Sequence, residues 1–138
     1  MSFSGKKFRR IGCENIETLL RQTNVSSRTA YILNAPAPVF SFTKIGEDKF
    51  LFKMVVDSTR TISHTFKLGE EFELERLDGT KAKVVYTLER DNVLNQVVRL
   101  PEGKTGYFRR EFGENEAIMI LRMDGAEVEG KIYYEVVE

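Results

Sequence analysis

Polar and apolar residues alternate along most of the chain. From Thr59 to Lys83 the apolar side chains Phe66, Leu68, Phe72 and Leu74 are separated by polar ones. Such alternation marks half-buried strands, whose successive side chains point to opposite faces. Gly69 interrupts the run where a tight connection is needed, and Asp78-Gly79 is a turn of the hairpin type. The segment therefore predicts strand, turn, short strand, turn, strand. The same pattern predicts strands at Phe8 to Gly12, Val39 to Lys44, Phe50 to Val56, Val84 to Glu89 and Val93 to Leu100. It continues at Tyr107 to Phe112, Ala117 to Arg122 and Val128 to Val137. Turn signals recur roughly every eight to twelve residues, as in an antiparallel sandwich or barrel.

The period changes once, near the start. Ile16, Leu19 and Leu20 fall on one face of a helix predicted for Cys13 to Gln22, with Glu14, Glu17 and Arg21 elsewhere. Ser26 or Ser27 caps a second short helix, Ser27 to about Leu33. Pro36 and Pro38 end it, because proline removes a donor and restricts the residue before it. Two short helices, at about residues 14–34, thus interrupt an otherwise all-strand chain.

Composition adds bounds. A chain of 138 residues predicts one domain with a real core. Lys plus Arg equals Asp plus Glu at 21 each, which argues against nucleic acid as the principal partner. Cys13 is the single cysteine, so no intramolecular disulfide forms and a reducing compartment fits. MSFSGKKFRR lacks the apolar core of a signal peptide, and no stretch reaches membrane-spanning length. A cytoplasmic monomer is expected.

Candidate chemistry is sparse. His64 is the single histidine, without a sequence-evident partner, and reads as an ordinary strand residue. Cys13 has no base beside it and reads as a buried structural thiol. No metal-ligand spacing occurs, and no cofactor is expected. Gly103-Lys104-Thr105-Gly106 follows a proline turn and reads as a hairpin loop, not a phosphate loop. Arg110 stands out. Alternation places it with Phe108 and Phe112 on one face, where a guanidinium is costly to bury unless paired. A ligand carboxylate matches its planar fork, and an exposed edge or an internal glutamate is the alternative.

Several of these segments resemble one family. Phe66-Lys67-Leu68-Gly69-Glu70-Glu71-Phe72 is similar to the FKLGxxF stretch of the intracellular lipid-binding proteins, which include cytosolic fatty-acid-binding and cellular retinoid-binding proteins. The opening Phe3, Gly5 and Phe8 resembles the family's start, with Phe8 where a tryptophan is usual. Arg110 to Glu116 resembles the segment holding the first arginine of its carboxylate-binding set. The resemblance implies a ten-stranded, lipocalin-like up-and-down β-barrel with a helix-turn-helix lid. It implies a non-enzymatic carrier of a long-chain fatty acid, or of a retinoid. The lid residues Arg21 and Arg28 offer transient contact with an anionic membrane, but Glu14 and Glu17 offset them and a solvated helix face is the better reading. A β-barrel acting through its surface is the remaining alternative.

The family's last strand supplies Arg-x-Tyr. The nearest match is Lys131-Ile132-Tyr133, so the motif assigns the carboxylate to Arg110, Lys131 and Tyr133. Amphipathicity points the other way, since Ile132, Tyr134 and Val136 form the more apolar face. A slip of one residue exchanges the two faces. The family's gate phenylalanine is also missing before FKLG, where Thr59 to His64 stands. Met54, Met119 and Met123 are candidates for a pliable pocket lining.

Overall fold

The computed structural model describes residues 3–23, 35–75, 81–100 and 103–137. Its strands are β1 (Lys7–Glu14), β2 (Val39–Lys44), β3 (Lys49–Asp57), β4 (Arg60–Lys67), β5 (Phe72–Glu75), β6 (Lys81–Arg90), β7 (Val93–Arg99), β8 (Thr105–Phe112), β9 (Glu116–Met123) and β10 (Gly130–Val137). One helix, α1 (Ile16–Gln22), lies between β1 and β2. The strands form one antiparallel sheet in the order β4-β3-β2-β1-β10-β9-β8-β7-β6-β5. The chain's first and last strands pair at its middle, with Phe8 opposite Val136 and Arg10 opposite Tyr134. This is the predicted ten-stranded barrel.

The sheet's two edges, β4 and β5, are consecutive in the chain but do not pair. Side chains bring them together instead. Phe66 on β4 stacks on Tyr86 of β6 with ring centroids 3.8 Å apart, and lies 6.4 Å from Phe72 of β5. Gly69, with φ of 76° in the turn between them, donates its N–H to the Tyr86 carbonyl at 2.7 Å. Glycine adopts that backbone region without steric penalty. The result is a nearly closed barrel.

Alternation determines what fills it. On β3, Phe50, Phe52, Met54 and Val56 are buried while the residues between them are not. Phe40 and Phe42 on β2 face the same interior. Near the Val136 end of β10, Phe3, Phe8 and Phe112 close one mouth: Phe3 stacks on Phe112 at 4.3 Å and Phe8 lies 5.2 Å from it. Each fully buried phenylalanine contributes about 1.5–3 kcal/mol relative to exposure. Phe8 therefore does take the large aromatic position at the barrel floor.

At the other end of β10, α1 lies over Gly130 through the buried Ile16 and Leu19. The helix begins three residues later than its periodicity predicts. β1 continues through Cys13 and Glu14, which pair with Ile132 and Lys131, and this ladder outcompetes a weak helical start. Asn15 then turns the chain at φ of 59°, a left-handed conformation that asparagine tolerates. Cys13 is exposed, not buried as expected. The predicted second helix, with Arg28, and the Asp78-Gly79 turn lie outside the described residues. No helix among the described residues is long and apolar enough to cross a membrane.

Candidate ligand site

Arg110 sits on β8 two residues before the floor residue Phe112, on the same face. It is buried, at 6% relative exposure. Its guanidinium carbon lies 5.8, 5.3 and 6.0 Å from the ring centres of Phe40, Phe42 and Phe52. Nη1 donates to Gln96 Oε1 at 2.8 Å, and Nε has no hydrogen-bond partner. No carboxylate of the described residues pairs with it. Burial pulls its pKa down from the ordinary arginine value, with Tyr86 and Tyr134 opposing. The rings offer cation–π attraction, but a desolvated charge with an unsatisfied N–H remains poised for an anion.

Gln96 links Arg110 to a wider set of polar groups. It stands opposite Tyr86, which carries a buried hydroxyl, in the β6–β7 ladder. That hydroxyl lies 3.2 Å from His64 Nε2 on β4. Burial raises the Tyr86 pKa to about 12. The His64 imidazole is pushed down to about 4, first by burial and then by the Arg110 charge. His64 is thus neutral near pH 7, and its Nδ1 is buried without a partner. Arg110 with Gln96 and Tyr86 with His64 thus form two hydrogen-bonded pairs, set side by side by the β6–β7 ladder.

The last strand settles which face points inward. Ile132 and Tyr134 are 2% and 3% exposed. Lys131 and Tyr133 alternate with them toward the outside, and the Tyr133 hydroxyl donates to Glu14 Oε1 at 3.0 Å on the exposed surface. The motif-based register is therefore corrected by one residue. Arg110 is in the interior, but Lys131 and Tyr133 are not beside it, and Tyr134 takes the inward place. The ladder with β1 and β9 fixes this, since Ile132 pairs with Met119 and Tyr134 with Ala117, both buried. Ile132 then occupies the position at which the family resemblance calls for arginine.

A second cation approaches from β1. Arg10 follows Phe8 on the inward face, is half-buried, and donates Nη1 to the Ala35 carbonyl at 3.2 Å. Burial raises the Tyr134 pKa to about 12, against the opposing pull of Arg110 and then Arg10. Tyr134 thus lies in the field of two guanidinium groups. Arg10, Tyr86 and Gln96 were missed in the sequence, although each carries a signal. Arg10 shares the i, i+2 face of Phe8, and Gln96 interrupts an otherwise valine-rich strand.

The geometry is a floored barrel whose buried arginine lies one inward position above the floor. Proteins of known role are similar in sequence and fold. The chain is 37% identical over 102 residues to fatty acid-binding protein 1 of Fasciola gigantica, covering 73% of this chain and 75% of that one. It is 30% identical over 128 residues to cellular retinoic acid-binding protein 2 of Rattus norvegicus, covering 89% and 91%. The chain belongs to the intracellular lipid-binding protein family. No family model matches it. Among solved structures, a Schistosoma mansoni fatty acid binding protein in complex with arachidonic acid superposes with a TM-score of 0.83 at 26% identity, covering 99% of this chain and 97% of that one. Against the family resemblance, Ile132 in the last strand is one departure, beside Phe8 and the missing gate phenylalanine. Among the described residues, no group of three or more His, Cys, Asp and Glu could hold a metal ion.

Proposed function

We propose that this protein carries a long-chain fatty acid inside the barrel, with a retinoid acid as the second candidate. One observation carries the reading: Arg110 is a buried cation with an unsatisfied N–H and no carboxylate partner among the described residues. A ligand carboxylate supplies both the charge and the acceptor. Tyr134 donates its hydroxyl to the same group, and Arg10 adds a second positive charge from β1 in place of an arginine at Ile132. The tail runs from this deep position toward α1, along the buried Met119, Leu121 and Ile132. Each methylene withdrawn from water contributes about 0.8 kcal/mol, and methionine adapts to irregular chains. Ligand passes near α1, where the exposed Arg21 allows transient contact with an anionic membrane. The protein works as a cytoplasmic monomer by burial rather than turnover: Cys13 is exposed while His64 hydrogen-bonds Tyr86 within the barrel.

The test is displacement of a fluorescent fatty-acid analogue from delipidated protein by a long-chain fatty acid, by retinoic acid and by retinol. Arg110→Leu is expected to weaken both acids about 10- to 100-fold, the range for a charged hydrogen bond, and to leave retinol binding unchanged. The same substitution removes an uncompensated buried charge, so the unliganded variant should be more stable by about 1–3 kcal/mol. Unchanged affinity for both acids would remove Arg110 from the site and the carboxylate from the reading.

A further inference from the structure

Two buried side-chain nitrogens lack a hydrogen-bond partner among the described residues, Arg110 Nε and His64 Nδ1, and they belong to two hydrogen-bonded pairs, Arg110–Gln96 and Tyr86–His64, that adjoin across the β6–β7 ladder. The Tyr86 side chain is buried, and among the described residues its hydroxyl is hydrogen-bonded to His64 Nε2 at 3.2 Å. A buried O–H proton needs an acceptor, so Tyr86 donates to Nε2. A neutral imidazole that accepts at Nε2 carries its proton on Nδ1. The unpartnered nitrogen of this pair is therefore a donor in need of an acceptor. It lies beside the seam between β4 and β5, among the rings of Phe52, Phe66 and Phe72.

We propose that His64 Nδ1–H is a second ligand-binding group that takes an oxygen on the acyl chain, so that the barrel prefers an oxygenated fatty acid, such as a keto acid, over the plain acid. This rests on the carrier reading above and adds to it the chemical class of the ligand. Gln96 and Tyr86 intervene between the two orphan donors, so the oxygen at His64 is distinct from the carboxylate at Arg110. A hydrocarbon chain leaves this buried donor unsatisfied, whereas a site built to hydrogen-bond an oxygen discriminates against the ligand that lacks it.

Competition against a fluorescent fatty-acid reporter on the delipidated full chain tests this, using octadecanoic acid and a series of octadecanoic acids bearing one keto oxygen at successive positions. At least one keto acid should bind about three- to tenfold more tightly than the parent, the yield of one net hydrogen bond. In His64→Phe the ratio of keto-acid to octadecanoic-acid affinity falls to about one. Tyr86→Phe, which removes the proton held against Nε2, should reduce the same advantage. Nitrogen-15 NMR of the wild-type imidazole should report the proton on Nδ1; a proton on Nε2 overturns the inference. Equal affinity across the series, or an advantage that survives His64→Phe, overturns it while leaving the carrier reading intact. Weaker binding of octadecanoic acid itself in His64→Phe assigns His64 to the carboxylate and overturns it too. If no acid displaces the reporter, the carrier reading fails and this inference fails with it.

Discussion

Arg109 and Arg110 carry the same charge from adjacent positions into opposite surroundings. Arg109 faces outward, bonded to both oxygens of Glu89 at 2.6 and 3.0 Å and to Glu111 at 2.8 Å. Exposed pairs of this kind contribute little to stability. Arg110 has an amide, three rings and, among the described residues, no carboxylate, which is why it marks the site and its neighbour does not. Its charge also acts on His64, which contacts Tyr86 and the rings of Phe52, Phe66 and Phe72. The His64 pKa falls to about 4 from an ordinary 6.5, so the folded protein resists a proton that the unfolded chain accepts. Its contribution to stability is complete above about pH 6.5 and is lost as pH falls toward about 4, by on the order of 3 kcal/mol. Urea unfolding compared at about pH 7 and about pH 4 should show this loss in the wild type and a smaller one in His64→Phe. An identical loss in both proteins would assign it to carboxylates elsewhere.

At the scale of elements, β10 organises the molecule because both chain ends and the helix meet it. Its first residue must be small. A Cβ on Gly130 would stand 2.7 Å from Ile16 Cδ1 and 3.4 Å from Leu19 Cδ2, both on the buried side of α1. Gly130→Ala should therefore cost about 1–3 kcal/mol as the helix shifts to make room. Chemical denaturation measures the loss, and amide shifts confined to α1 and β10 would trace it to this contact; full stability would mean that Ile16 rotates away freely. Strands were legible in the sequence wherever one face is buried. Val39 to Lys44 was read with its observed ends, and Ile132, Tyr134 and Val136 already displayed the inward face of β10. Matching a short Lys-x-Tyr by identity obscured that pattern, because the ladder sets register and the motif does not. The start of α1 was not legible, since pairing of Cys13 and Glu14 with a strand more than a hundred residues later decides it.

Over the whole barrel, what the sequence leaves hidden is non-local. Alternation singled out Arg110, but the polar groups around it come from β4, β6 and β7, and nothing local says that His64 and Tyr86 face each other. The same holds for the seam. Consecutive β4 and β5 invite a hairpin, yet they end as the two edges of the sheet, joined by side chains and by the Gly69 bond to Tyr86. Phe72 is central to that closure, with ring centroids 5.5 Å from His64, 6.4 Å from Phe66 and 6.2 Å from Tyr86. A seam held by rings opens at lower free energy than one held by a continuous backbone ladder. Phe72→Ala should thus speed amide hydrogen exchange in β4 and β5 about tenfold, equivalent to about 1.4 kcal/mol of local opening. Exchange in β1, β9 and β10, paired on both sides, should change far less. A uniform acceleration through all ten strands would mean that the seam has no independence and the barrel opens only as a whole. Selective acceleration would identify β4 and β5 as the part of the wall that yields, next to the His64 donor and across the sheet from the rigid β1–β10 pairing.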